Sequence, residues 1–400
     1  MRNLQKKIFC IVFIAFLIIP NISNADDLSN ESKIPIINAR HAVVIDRNSL
    51  QILYGKNEFE KCKMASTTKI MTAIVVIENS NLSDIVTISK KSANTGGSRL
   101  GLSQNDKISV ENLLYGLMLK SGNDAAVALA EYVGGNIENF INLMNKKAEN
   151  LNLSSTHFVT PHGLDDENHY TTAFDLAILA NYALNNPTFS KIVSTKSYTI
   201  TINGNIKQLN NTNELLGNFE GIYGVKTGFT NGANRCLVTA CKRGELDVIC
   251  VVLGCDTKKD RGQDSIKLLN YIFNNFSVVD VKDIVYKDFS NWLINHTNSF
   301  TINKGISQSF DLYLNENDFK FSKMAINNTN IEKISTNIYF NSYFEAPVNS
   351  NESIGNIHLL VDNIEIFNIN FYNKNYIERK NFYSYLAYIL KNYFQFFKKW

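Results

Sequence analysis

Positive charge in excess is one thing this 400-residue sequence lacks: 40 Lys and Arg stand against 37 Asp and Glu, for a formal net charge of +3. With charged residues at only 19%, there is no basic field of the kind that draws a protein to nucleic acid, and no nucleic-acid partner is expected. A disulfide framework is also missing. If Cys10 leaves with the N-terminal segment, five of the six cysteines remain, and an odd set cannot close completely. No Cys-x-x-Cys occurs, and Cys236, Cys241, Cys250 and Cys255 sit in apolar, strand-like runs, so they read as buried thiols rather than metal ligands. Neither a metal nor an organic cofactor is implied. Low-complexity segments and long linkers are absent between Pro35 and Phe276.

A long membrane span is absent from the N-terminus as well. The apolar run from Ile8 to Ile19 is shorter than the ~20 residues a spanning helix needs. It follows Arg2, Lys6 and Lys7 and precedes the small residues of Ser23-Asn-Ala25, which is the pattern of a cleaved export signal over residues 1–25. No small-residue lipobox precedes Cys10, so lipid attachment there is not expected. The chain therefore reads as exported.

What is present is ample apolar material, 44% of the chain, enough for one large or two ordinary domains. The runs at 41–46 and 51–54, parted by Arg47-Asn-Ser, suit an opening hairpin. Residues 66–78 are apolar nearly all round and predict a buried helix; further helices are expected over 110–119 and 124–132, the last stopped by Gly134-Gly135. Cys236-Leu-Val-Thr-Ala and Asp247-Val-Ile-Cys-Val-Val-Leu flank a turn at Lys242-Arg-Gly-Glu, a strand, turn and strand, followed by a helix over 266–276. This mixture is an α/β (α+β) domain, bounded at 26–276. Beyond it, short alternating runs predict a small all-β sandwich domain over 277–375. Over 376–400, Phe382, Leu386, Ile389, Tyr393, Phe397 and Trp400 recur at helical spacing, with Lys391, Lys398 and Lys399 largely opposite. That is an amphipathic helix suited to a membrane interface.

Three short motifs carry chemistry. In Ser66-Thr-Thr-Lys69 a helix would set the lysine amine beside the serine hydroxyl, one turn away. The amine can act as a base if burial and a second cation keep it neutral. Ser121-Gly-Asn123 falls between two helices, where a short turn can aim a hydroxyl and an amide into a cleft. Lys226-Thr-Gly228 lies in an expected edge strand, where Gly228 allows close approach of another backbone. Each motif alone is common. Together, in this order and these contexts, they are the set that penicillin-binding proteins and class A β-lactamases require.

With these residues the sequence resembles the low-molecular-mass D-alanyl-D-alanine carboxypeptidases. Met64-Ala-Ser-Thr-Thr-Lys-Ile-Met-Thr-Ala, Leu119-Lys-Ser-Gly-Asn-Asp-Ala-Ala, Pro161-His-Gly-Leu-Asp, His169-Tyr-Thr-Thr-Ala-Phe-Asp-Leu-Ala and Gly224-Val-Lys-Thr-Gly-Phe-Thr all carry the likeness, as does Glu345-Ala-Pro-Val with Gly355. The resemblance implies a penicillin-binding/β-lactamase-like transpeptidase fold with an antiparallel sheet and a helical subdomain. It implies Ser66 as nucleophile, Lys69 as its base and Ser121 as proton relay. Asn123 would hold the substrate amide, Lys226 with Thr227 and Thr230 would meet the terminal carboxylate, and the backbone amides of Ser66 and Phe229, beyond Gly228, would form the oxyanion hole. The partners it implies are peptidoglycan stem peptides, β-lactams as inhibitors, and the outer face of the bacterial cytoplasmic membrane through the C-terminal helix.

Two departures stand out. No arginine occurs in Asn210-Asn-Thr-Asn-Glu214, upstream of Lys-Thr-Gly, and the residue after Gly228 is apolar. A β-lactamase would need an added carboxylate base, and Glu167 is the candidate by position; its run of acids reads instead as a solvated loop. An endopeptidase or transpeptidase differs only in what enters the site. A non-catalytic wall-binding protein would not need Ser66, Lys69, Ser121, Asn123 and Lys226 intact.

Overall fold

The protein is described by a computed structural model covering residues 33–296 and 299–397. The expected export signal at 1–25, together with Lys398, Lys399 and Trp400, lies outside the described residues. Everything below belongs to the compact unit Pro35–Trp400.

The expected opening hairpin forms from β1 (His41–Asp46) and β2 (Ile52–Lys56). With β3 (Ile222–Thr230), β4 (Asn234–Arg243) and β5 (Leu246–Cys255) they make one antiparallel sheet in the order β2-β1-β5-β4-β3. β3, which carries Lys226-Thr-Gly, is thus an edge strand, as the sequence suggests. Successive side chains of β4 and β5 point to opposite faces. Cys236, Val238, Ala240, Ile249 and Val251 join one core, while Leu237, Cys241, Val248, Cys250 and Val252 join another. Each fully buried aliphatic side chain contributes roughly 1.5–3 kcal/mol of transfer free energy. Cys255 joins the second core, so Cys236, Cys241, Cys250 and Cys255 are all buried among apolar side chains.

The first core holds the helical part. α1 (Lys69–Asn79) is buried without a break from Lys69 to Val76, so it runs through the centre of the domain rather than along its surface. Around it lie α2 (Val110–Leu119), α3 (Asn123–Gly134), α4 (Ile137–Asn150) and α5 (Ala173–Leu184). α3 stops where Gly135 turns to φ 71°, a conformation that costs glycine little. On the other face of the sheet, Leu268, Leu269 and Ile272 of α6 (Lys258–Asn275) cover the second core.

Three elements differ from expectation. Residues 66–78 are not one helix: Ala65–Thr68 forms a 3-10 turn that precedes α1. α6 begins at Lys258, two turns earlier than the apolar pattern at 266–276 indicates, because Thr257 accepts the Asp260 N–H at 3.1 Å and caps a polar first turn. The part beyond 276 is sheet-rich but not all-β. It contains α7 (Val281–His296), of which only Val281, Val285 and Phe289 are fully buried, a stripe too narrow to stand out in the sequence.

That helix packs on a four-stranded antiparallel sheet. In chain order its strands are β6 (Leu312–Leu314), β7 (Ile334–Phe340), β8 (Ser353–Val361) and β9 (Ile364–Asn373), and in space they run β6-β9-β8-β7. Phe289 meets Phe371 with ring centroids 5.2 Å apart. The C-terminal helix α8 (Phe382–Phe397) begins at Phe382, later than the expected start at 376. Phe382, Tyr383, Tyr393 and Phe394 are each more than half exposed on it.

Candidate active site

The turn Ala65–Thr68 sets Ser66 at the head of α1, with Lys69 one turn on. Ala65 enters it in the left-handed region, at φ 49°. Lys69 is fully buried, and its Nζ lies 2.9 Å from Ser66 Oγ, 2.8 Å from Asn123 Oδ1 and 2.8 Å from the His162 carbonyl. Burial first, and the charge of Lys226 second, hold its pKa well below the usual lysine range; Asp124 offsets part of this. The amide of Asn123 is oriented by its own bond, Nδ2 donating to Gly96 O at 2.7 Å. Asn123 Oδ1 and His162 O can only accept, so in the neutral form of the amine they take its two N–H groups and leave its lone pair for Ser66 Oγ. That form has the geometry a base needs to receive a hydroxyl proton.

Ser121 sits between α2 and α3 in the left-handed region, φ 61°, with little of its surface exposed. Asn123 follows as the first residue of α3, and its N–H donates to Ser98 O at 2.7 Å. The loop it touches is held by Asp124, a fully buried carboxylate that accepts the backbone N–H of Leu100, Gly101 and Leu102 at 2.7–3.0 Å. Gly97 is forced by this packing. At φ 83°, a Cβ there would fall 2.5 Å from Asn123 Nδ2.

On the edge strand β3, Lys226 is buried, and its Nζ donates to Thr227 O at 2.9 Å. Burial, and then the charge of Arg261, push it down to about 7. Thr227 Oγ1 and Thr212 Oγ1 lie 2.8 Å apart. A Cβ on Gly228 would come within 3.2 Å of Ala65 Cβ, Cys236 Cβ and Met64 O, so the close approach this glycine permits is that of the turn bearing Ser66. Phe229 is 46% exposed, with the Arg235 guanidinium stacked 3.6 Å from its ring centroid. Thr230, expected to help meet the substrate carboxylate, also has partners within the protein. Its hydroxyl donates to Asp165 Oδ1 at 2.7 Å and accepts from Ala233 N at 3.0 Å, which ties the end of β3 to the 160–166 loop.

Ser66, Lys69, Asn123 and, through Gly228, β3 are therefore joined by direct contacts. Sequence reasoning missed several residues that hold them. His162 matters through its carbonyl, which no side-chain motif reveals. Arg261 of α6, downstream of Lys-Thr-Gly, is buried, its Nη2 donates to Glu214 Oε1 and Oε2 at 2.5 and 2.6 Å, and its charge is the second cause that lowers the pKa of Lys226. Glu167 is solvent-exposed, in keeping with a loop acid. No cluster of three His, Cys, Asp or Glu placed for a metal occurs among the described residues.

A serine hydroxyl facing a buried lysine whose pKa is held low, beside an amide and at the edge of an antiparallel sheet, defines a serine acyl-transfer site of the penicillin-binding type. Comparison agrees. The profile of the D-alanyl-D-alanine carboxypeptidases matches residues 28–257. The D-alanyl-D-alanine carboxypeptidase DacF of Bacillus subtilis is 38% identical over 60% of this chain and 63% of its own length. DacA of Escherichia coli is 31% identical over 85% of this chain and 84% of its own. The crystal structure of penicillin binding protein 5 from Haemophilus influenzae superposes with a TM-score of 0.72 at 29% identity, covering 86% of this chain and 99% of that one. The chain belongs to the D-alanyl-D-alanine carboxypeptidase family of serine peptidases.

Proposed function

We propose that the chain removes the terminal D-alanine from the pentapeptide stems of peptidoglycan, on the outer face of the cytoplasmic membrane. Neutral Lys69 takes the Ser66 proton as the oxygen attacks the penultimate D-alanyl carbonyl. The backbone N–H groups of Ser66 and Phe229 stabilise the developing oxyanion, the term of greatest weight in such reactions. Ser121 passes a proton to the departing amine, D-alanine leaves, and water hydrolyses the ester on Ser66. Asn123 holds the peptide amide. Cationic Lys226 and the Thr227 hydroxyl receive the terminal carboxylate. β-Lactams, which carry the same carboxylate beside a strained amide, acylate the same serine.

The observation that carries this reading is the amine of Lys69, fully buried between two obligate acceptors, Asn123 Oδ1 and His162 O, with Ser66 Oγ 2.9 Å away. Export is supported by the charged and apolar segments of 1–25, and attachment to the membrane surface by the exposed aromatics of α8. No described helix is long and apolar enough to cross a membrane.

The test is release of D-alanine from diacetyl-Lys-D-Ala-D-Ala by the purified protein, with Ser66→Ala alongside. Release that disappears in the variant supports the reading. Equal release from both proteins would remove Ser66 from the mechanism.

A further inference from the structure

A largely buried hydrogen-bond chain ends on the peptide unit that precedes Ser66. Thr68 Oγ1 donates to the Ala65 carbonyl at 2.8 Å, and His169 Nε2 lies 2.8 Å from the same Oγ1. The Val159 N–H meets His169 Nδ1 at 3.0 Å. Thr68 is wholly inaccessible and His169 is 2% exposed.

Two independent constraints fix every proton in this chain. A carbonyl can only accept, so the single hydroxyl proton of Thr68 goes to Ala65 O, and His169 must supply the next proton from Nε2. A backbone N–H can only donate, so Nδ1 must carry the lone pair. Both require the neutral Nε2–H tautomer. Burial agrees: it is the main cause that lowers the His169 pKa to about 4, keeping the ring uncharged at ordinary pH.

The Ala65–Ser66 peptide is planar, so fixing its C=O on one side fixes the Ser66 N–H on the other. Ala65 itself, at φ 49°, holds a conformation that non-glycine residues seldom keep without such support. A second restraint comes from Gly163, where a Cβ would lie 1.9 Å from Ala65 O. We infer that His169, acting through the Thr68 hydroxyl, is a positioning residue that aims the Ser66 N–H at the reacting oxygen. This rests on the acyl-transfer reading above, in which that N–H is an oxyanion donor.

Three readouts on the full chain in detergent test it. The first is the rate of acylation by a fluorescent penicillin. Thr68→Val keeps the volume and removes the hydroxyl, and it should slow acylation by at least about tenfold, a fraction of the 10²–10³ lost with a whole oxyanion donor. Thr68→Ser should restore most of the rate. The second is affinity for a boronic acid, whose tetrahedral adduct needs the oxyanion donors: it should weaken with Thr68→Val while the melting temperature stays within a few degrees. His169→Phe combined with Thr68→Val should be no slower than the worse single variant. The third is independent of activity: nitrogen shifts of ¹⁵N-labelled histidine should show His169 as the Nε2–H tautomer at pH 7.

Thr68→Val that acylates like the unmodified protein, or an Nδ1–H tautomer, overturns the positioning role and leaves the carboxypeptidase reading standing. Unmodified protein that takes no label overturns both.

Discussion

Asn123 Oδ1 stands 2.8 Å from the amine of Lys69, in the position of a hydrogen-bond acceptor that brings no charge. An aspartate there would present a carboxylate to a buried lysine, favour its ammonium form and remove the lone pair that faces Ser66. Asn123→Asp should therefore lower the acylation rate by at least about 100-fold, the lower end of general-base contributions. Part of the rate should return at alkaline pH. Stopped-flow labelling by a fluorescent β-lactam measures both; an unchanged rate would mean that Lys69 is not the base.

On the proposed mechanism the two buried lysines should set opposite limbs of the pH profile. Lys69 is required neutral there, so kcat/KM should rise as pH passes its depressed pKa. Lys226 is required charged to receive a carboxylate, so the rate should fall as pH rises through about 7. In Lys226→Arg, whose charge persists, the alkaline limb should vanish even if the maximum is lower. Stability follows a different course. Because the folded pKa of Lys226 lies below its ordinary value of 10.5, the unfolded chain binds more protons between about 7 and 10.5, and stability rises with pH across that window. Urea midpoints at pH 7 and 9 should diverge less in Lys226→Met.

The exposed aromatics of α8 predict a membrane role separable from catalysis. Phe382 is 75% and Phe394 64% exposed. Replacing Phe382, Tyr383, Tyr393 and Phe394 by serine should abolish co-sedimentation with anionic lipid vesicles and leave the penicillin acylation rate within about twofold, since none of these residues touches the site. Retained sedimentation would place the membrane contact elsewhere.

The parts of this protein that proved readable in sequence are those in which local chemistry and burial coincide. β1, β4 and β5 are continuous apolar runs bounded by turns, and α2 has a cap at Ser109 and an apolar body. Ser66, Lys69 and Asn123 were legible because short motifs fix them on adjoining elements. What escaped is tertiary. His162 contributes a carbonyl, and carbonyls have no sequence signature. His169 and Thr68 lie 101 residues apart, and only the fold brings them within 2.8 Å. The bond from the Thr230 hydroxyl to Asp165 is likewise set by loop packing and has no sequence signature. The polar start of α6 and the narrow buried stripe of α7 hid two helical stretches, because hydrophobic period is weak where a helix rests one thin edge on its neighbours.

The central claim is that Ser66 forms the acyl-enzyme. Intact-protein mass spectrometry after brief exposure to benzylpenicillin, followed by peptide mapping, tests it most directly. One penicilloyl group per chain, located on Ser66 and absent in Ser66→Ala, is the predicted result. An adduct on any other residue, or no adduct on folded protein, would contradict the account.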